Sequence, residues 1–242
     1  MIADGCLEGV DRIFGMHVWP SFDTGKVGVV EGPTMAQPDT FTMEITGVGG
    51  HAAAPDACRD PIVAASQIIS ASQQIVSRNT DPMKSCVVSF TQFPGGSADN
   101  VIPETVQLTG TIRTFEKEVG NMARRRLKEI AESVAQAHEC TASVEIIEGY
   151  PVTYNHPEAC REVERSVSKE VPMTDEGTPC MGGEDFAYYG EKVSAAFMFL
   201  GNRDEEKGIV HFCHHPRFQV DDPAMSIGVR TWIALALGAD QA

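Results

Sequence analysis

The stretch from Asp39 to Tyr150 constrains the fold most, because its hydrophobic period switches between two and about 3.6 residues in a definite order. Phe41, Met43 and Ile45 alternate with Thr42, Glu44 and Thr46, which predicts a half-buried strand ended by the glycine-rich Gly47–Gly50. Asp60-Pro61 supplies an N-cap and a proline at the first helical position. Ile62, Ala65, Ile68, Ile69, Ser72, Ile75 and Val76 then follow at helical spacing up to Arg78. Ser85–Phe93 and Val106–Thr114 read as two further strands, joined by Pro94-Gly95-Gly96 and a loop ending at Pro103. In the second, Val106, Leu108 and Ile112 share one face, and Thr109, Thr111 and Arg113 the other. A second amphipathic helix turns Val119, Met122, Leu127, Ile130 and Val134 inward, and Ala142, Val144 and Ile146 mark a fourth strand. The order β-α-β-β-α-β predicts a split βαβ, ferredoxin-like unit.

The flanks carry a different pattern. Residues 1–38 hold one strand-like run, Arg12–Val18, followed by a Pro/Gly-rich connection; residues 154–242 hold a helix near Glu158–Lys169, a strand at Ala195–Leu200 and a closing helix from about Pro223 to Leu237. The expectation is an α/β chain in which 1–38 and 154–242 form one domain and 39–153 is inserted into it, because the ends of such a unit can lie close together. Met1–Leu7 reads as the last turn of an amphipathic helix running into a glycine stop, with no start signal ahead of it. That suggests a missing upstream portion.

A net charge of −15 argues against nucleic acid or an anionic membrane surface as partner, since both demand a basic stripe. The one dense basic run, Arg124-Arg125-Arg126, lies in a helical pattern with acidic neighbours and reads as a solvated face. Seven cysteines with no C-x-x-C suit free thiols in a reducing compartment. No apolar run is long enough to span a bilayer, and Asp4, Glu8 and Asp11 stand where a secretory signal would be basic and apolar. A cytoplasmic protein is expected.

Candidate chemistry centres on histidine. His138, at the end of the second helix where a cation suits the macrodipole, reads as a capping or surface position, and His156, between Asn155 and Pro157, as a surface one. His17 ends a strand run and suits either a hydrogen-bonded core position or a metal ligand. His211, His214 and His215 cluster just ahead of Asp221-Asp222, and neutral imidazole with a carboxylate nearby is common at transition-metal sites. His51 follows Gly47-Val48-Gly49-Gly50 and is read either as a surface turn or as an imidazole presented to a cleft by a flexible glycine hinge. The partial G-x-G-x-x-A match there is a decoy for dinucleotide binding, because Pro55 interrupts before a helix can open. Glu184-Asp185 is an acidic pair in a glycine-rich loop, readable also as a helix N-terminal cap. No G-x-S-x-G, S-x-x-K or P-loop is present.

Together these segments resemble the M20 metallopeptidase/amidohydrolase family, in its N-acyl-amino-acid and hippurate-type subgroup. The motifs that carry the resemblance are Phe14-Gly15-Met16-His17-Val18, Gly47-x-Gly49-Gly50-His51-Ala52-Ala53-x-Pro55, Asp60-Pro61, Asn100-Val101-Ile102-Pro103, Gly110–Phe115, Gly183-Glu184-Asp185-Phe186 and His214-His215-Pro216-x-Phe218, in family order. The resemblance implies hydrolysis of the amide bond of N-acyl amino acids by a water held between two divalent ions (zinc, manganese or cobalt), with a Glu as base. It implies metal ligation by His17 and His214, oxyanion stabilisation by His51, and an acidic role near the site for Glu184. Asn100 and Arg113 would hold the substrate carboxylate, and the inserted unit would be a lid through which two copies form a homodimer. The family's remaining metal ligands and its Glu-Glu pair have no counterpart in this sequence. A chain without them is expected to be inactive alone, to leave part of a parallel sheet unpaired and to expose apolar surface. The rival expectation is a non-catalytic, homodimerising or ligand-binding remnant.

Overall fold

The computed structural model describes residues 1–176 and 178–238. Along the chain it forms β1 (Arg12–Asp23), β2 (Val27–Gly28) and β3 (Gly32–Met35), then β4 (Gln37–Thr46), β5 (Gly50–His51), α1 (Pro61–Ser72), β6 (Cys86–Gln92), β7 (Val101–Ile102), β8 (Thr105–Thr114), α2 (Lys117–Ala137) and β9 (Thr141–Ile147). It continues with β10 (Thr153–Asn155), α3 (Pro157–Val167), β11 (Met173–Thr174), α4 (Ala187–Gly190), β12 (Ser194–Arg203) and α5 (Asp222–Gly238). These elements divide into two compact units, Met1–Ala36 with Pro151–Ala242, and Gln37–Tyr150.

The Gln37–Tyr150 unit is built on a four-stranded sheet of order β6-β8-β4-β9, every neighbour antiparallel. Phe41, Met43, Ile45, Leu108 and Ile112 point to one face, where Ala65, Ile68, Leu127 and Ile130 of the two helices close the core. The alternation works because a strand that buries one face needs apolar residues only at every second position. Asp60 caps α1, its Oδ1 accepting from the Ile62 amide at 2.8 Å.

Three expectations for this unit are corrected. First, α1 ends at Ser72, and a single π-turn at Ile75–Asn79 replaces its expected last turns up to Arg78. Side chains there compete for backbone carbonyls: Gln73 Nε2 donates to Ile69 O at 3.1 Å, Ser77 Oγ to Gln73 O at 3.0 Å and Thr80 Oγ1 to Ile75 O at 2.9 Å. Second, the buried stripe is Ala64, Ala65, Ile68, Ser72 and Ile75, whereas Ile62 and Val76 are exposed. Third, Arg124 is not on a solvated face. It is 11% exposed and forms an ion pair with the carboxylate of Asp39, which is 1% exposed. Arg125 and Arg126 do face solvent, each bonded to Glu129.

In the other unit β1 pairs parallel with β12, from Arg12↔Ser194 to Trp19↔Gly201, in a sheet of order β1-β12-β2-β11. Strand β12 is buried on both faces, the condition that produces its unbroken apolar run. Ala195, Phe197 and Phe199 pack with Trp19, Phe22 and Phe186; Ala196, Met198 and Leu200 pack with Val163, Val167, Ala224 and Leu235. Strand β1 runs to Asp23, beyond the expected Val18, because an irregularity after Trp19 lets Asp23 pair with Arg203. Gly15 is required by close packing: a Cβ there would lie 2.6 Å from Phe197 Cδ2 and 2.9 Å from Phe186 Cδ2. The N-terminal segment is a single 3-10 turn, Ile2–Asp4, closed by Gly5 at φ 83°. All seven cysteines are free thiols, and among the described residues no helix is long and apolar enough to cross a membrane.

Candidate functional site

Within the unit formed by residues 1–36 and 151–242, His17 lies near the carboxyl end of the parallel part of β1, half-buried and edge-on to Trp19 with ring centroids 6.0 Å apart. Its Nδ1 is 2.7 Å from the Val18 carbonyl. A carbonyl oxygen can only accept, so Nδ1 carries the proton and Nε2 keeps a lone pair for an electrophile or an ion. The segment 211–215 lies against the same strand end. Cys213 Sγ donates to Val18 O at 3.6 Å, and Phe212 meets Trp19 edge-on at 4.9 Å. His214, exposed, holds a left-handed backbone at φ 69°, while His211 and His215 stack at 4.2 Å with planes 6° apart. Stacked rings direct their lone pairs side by side, so this pair is not arranged to chelate one ion. Desolvation, then the charges of Arg217 and His215, hold His211 below its usual pKa.

Glu184 and Asp185 are not a helix cap with a free side chain. Their carbonyls accept from the Ala187 and Tyr188 amides in a tight turn into the short α4. Burial, a side-chain hydrogen bond with Asp185 and the Asp185 charge push the Glu184 carboxyl above the ordinary carboxylate value, while the Phe186 amide and His17 oppose the shift.

In the Gln37–Tyr150 unit the glycines before His51 serve close packing rather than a hinge. A Cβ on Gly47 would clash with the Arg59 carbonyl, and one on Gly49 would lie 2.8 Å from Ile102 O. Strand β5 pairs with β7, Gly50↔Ile102 and His51↔Val101, and the Ala52 amide donates to Asn100 O at 3.0 Å. This ladder brings His51 and Asn100 together. The exposed His51 ring accepts the Ala53 amide at Nδ1, 3.0 Å, so the neutral ring carries its proton on Nε2 and presents a donor. Arg113, on β8, donates from Nε to Thr111 Oγ1 at 3.0 Å, and Thr111 Oγ1 donates in turn to Asp39 O at 2.7 Å. Strand alternation places Thr111 on the same face as Arg113, and the structure adds that Thr111 holds the guanidinium. His156 is not simply a surface residue: it is the N-cap of α3, and its Nδ1 accepts from the Ala195 amide at 3.1 Å.

Residues 1–238 match the family described as Peptidase family M20/M25/M40. The chain is 35% identical over 238 residues to thermostable carboxypeptidase 2 of Saccharolobus solfataricus, covering 98% of this chain and 60% of that protein. It is 39% identical over 225 residues to the N-acetyl-L-cysteine deacetylase of Bacillus subtilis, covering 93% of this chain and 53% of that protein. Among solved structures, it superposes with a TM-score of 0.78 and 31% identity on the Bacillus subtilis YXEP protein, described as a dinuclear metal binding peptidase from the M20 family, over 98% of this chain and 59% of that one. The chain thus spans less than two thirds of the length of each of these relatives.

Proposed function

The chain belongs to peptidase family M20/M25/M40, and on that premise we propose that it carries the substrate-holding part and two donors of a metal-dependent amidohydrolase acting on N-acyl amino acids. The deacetylase relative, named for an N-acetylated amino acid, supports that substrate class. The observation that carries the reading is the protonation pattern of the two imidazoles: His17 leaves Nε2 open as a donor atom, and His51 presents an Nε2–H.

The donors do not add up to a complete metal site. Among the described residues no group of three or more His, Cys, Asp and Glu side chains is arranged to hold an ion. When bound, a divalent ion would supply Lewis-acid chemistry and a reactive water, and His17 and His214 are the side chains that would hold it. The chain's own residues have separable tasks. Arg113 is assigned to hold the substrate carboxylate through its planar fork, with Asn100 as a second donor, and Thr111 keeps the guanidinium oriented. His51 donates from Nε2 to the oxygen that gains charge as the amide carbonyl becomes tetrahedral. Glu184, whose carboxyl burial pushes above the ordinary value, is the acidic candidate of the unit that holds His17. The sheet order of the Gln37–Tyr150 unit supports its assignment as a ferredoxin-like lid through which two copies associate.

The shortage of donors favours a second reading, a non-catalytic ligand-binding protein. Two measurements test the assignment. Titration of N-acetyl-L-cysteine into the wild type and Arg113→Ala should show loss of binding with unchanged melting; unfolding of the variant with intact binding would refute the assignment. The purified chain should not hydrolyse that compound with zinc, manganese or cobalt added. A rate that a chelator abolishes would show that the ligand set is complete.

A further inference from the structure

The last turn of α3, with the turn that follows it, faces the last turns of α5 across a cavity of about 200 Å³. Arg165, Ser166, Lys169 and Glu170 line it from the α3 side, and Ala234, Leu237 and Gly238 from the α5 side. None of them has a part in the proposed reaction. The polar groups of this lining have unmet bonds. Among the described residues neither Arg165 nor Lys169 forms a side-chain hydrogen bond or ion pair. The Glu170 carboxylate meets only Arg230, at 3.6 Å, too far for a hydrogen bond. Those three side chains are exposed, so water satisfies them at little cost. Ser166 is different. It is 8% exposed, and its Oγ is buried without a partner among the described residues. An unpaired buried hydroxyl is destabilising, so its presence at a cavity wall needs a reason. A Cβ on Gly238 would lie 2.1 Å from Ser166 Oγ, so the hydroxyl faces the α5 side of the cavity, where only glycine leaves it room.

We propose that this cavity binds a free α-amino acid with an aliphatic side chain, at a site distinct from the residues assigned to the N-acyl substrate. Its volume is below the roughly 300–1,000 Å³ of pockets for drug-sized ligands, which sets the occupant at amino-acid size. Two cations alone would suit any small anion. The carboxylate beside them selects a ligand that carries a positive group as well. Arg165 and Lys169 take the ligand's carboxylate, the guanidinium with its planar fork, and the Ser166 hydroxyl donates to the same oxygens. Glu170 accepts from the ammonium. Ala234 and Leu237, the latter 66% exposed, cover the aliphatic carbons and are themselves removed from water. An N-acyl amino acid brings an uncharged amide to Glu170 in place of an ammonium, so the lining separates the free amino acid from its acylated form. The ligand class follows from the lining; only its meaning, recognition of the product of hydrolysis, rests on the amidohydrolase reading.

The test titrates L-leucine into the Arg113→Ala chain, which lacks the other assigned carboxylate contact, and follows saturation-transfer NMR of the ligand and the melting temperature of the chain. Leucine is expected to bind saturably and to raise the melting temperature. Three analogues should each bind about tenfold more weakly, the factor for one lost charged hydrogen bond: 4-methylpentanoate without the ammonium, 3-methylbutylamine without the carboxylate, and N-acetyl-L-leucine. Arg165→Gln and Lys169→Gln should weaken leucine by a similar factor and leave the melting of the free chain unchanged. Ser166→Ala should melt no lower than its parent, because it removes an unpaired hydroxyl, yet bind leucine more weakly. Absence of saturable binding, or binding that all three variants retain, would overturn the proposal. Equal affinity for 4-methylpentanoate would overturn it too, since the cavity would then be a simple anion site. Gln variants that melt lower and bind leucine unchanged would show that the two cations serve only the dipole at the end of α3. The Arg113 titration with N-acetyl-L-cysteine is independent of every one of these outcomes, so either reading can fail while the other stands.

Discussion

Replacing Asp39 by Asn should destabilise the Gln37–Tyr150 unit by about 3 kcal/mol, the lower end of the range for breaking a buried ion pair. The value comes from counting what the carboxylate does. Asp39 is 1% exposed; Oδ1 accepts from Gln37 Nε2 at 2.8 Å and from the Gly149 amide at 3.1 Å, and Oδ2 accepts from Arg124. An asparagine has one acceptor oxygen. If it faces Gln37 and Gly149, its NH2 confronts the Arg124 guanidinium; if it faces Arg124, the NH2 confronts two donors. Either arrangement leaves a buried donor unmatched, at about 1–3 kcal/mol, and removes a charged hydrogen bond worth about 1.5–3 kcal/mol. The loss stays near the lower limit because Arg124 retains Asn121 Oδ1 at 2.6 Å and Glu148 Oε2 at 3.3 Å. For a unit of this size, that corresponds to a fall of roughly 12 °C in melting temperature. Urea unfolding followed by far-UV ellipticity, run as a cycle with Arg124→Met and the double variant, measures both the cost and the coupling. Arg124→Met alone should cost a comparable amount, and Asp39→Leu with Arg124→Met should recover only part of it, since apolar replacement relieves the unpaired charge but leaves Gln37 Nε2 and the Gly149 amide without their acceptor. A cost for Asp39→Asn below about 1 kcal/mol, or additivity within about 0.5 kcal/mol across the cycle, would refute the reasoning.

Three further outcomes are expected. Gly15→Ala should lower stability by about 1–3 kcal/mol, because Phe197 and Phe186 must yield to the new methyl; near-UV ellipticity of the aromatic cluster should change with it, and an unaltered spectrum would contradict the packing. Thr111→Val should weaken binding of N-acetyl-L-cysteine about tenfold, or about 1.4 kcal/mol, whereas Thr111→Ser should preserve it; equal affinities in all three proteins would show that Arg113 needs no such support. The Asp204 carboxyl is held below the ordinary aspartate value by its hydrogen bond to Lys207. A depressed folded-state pKa stabilises above the unfolded value and is lost as pH falls through the folded one, so Lys207→Met should flatten the acid limb of the stability curve below about pH 4, and an unchanged limb would discount the pair.

Much of the fold was legible because helix and strand periods are local. The alternation of Phe41, Met43 and Ile45, the Asp60-Pro61 start of α1 and the apolar run of β12 each follow from a few consecutive residues. The turn at the end of α1 was misread because serine, glutamine and threonine side chains compete with the backbone in ways that a hydrophobic pattern does not register. For the candidate site, residue types were readable but protonation was not. Which nitrogen of His17 or His51 holds the proton depends on whether a carbonyl or an amide happens to face it.

What the sequence by itself determined is the succession of elements and the residue types able to bind a carboxylate or an ion. Tertiary structure alone decided the partnerships across long stretches of chain. It turned Arg124 from an apparently solvated cation into the counter-ion of Asp39, 85 residues away, and made Gly47 and Gly49 close-packing positions rather than a hinge. It also leaves Met225, Val229, Trp232 and Ile233 on the outer face of α5 exposed among the described residues. The reason is common to all three: burial is a property of what packs against a residue, and a one-dimensional pattern specifies the face but not the neighbour.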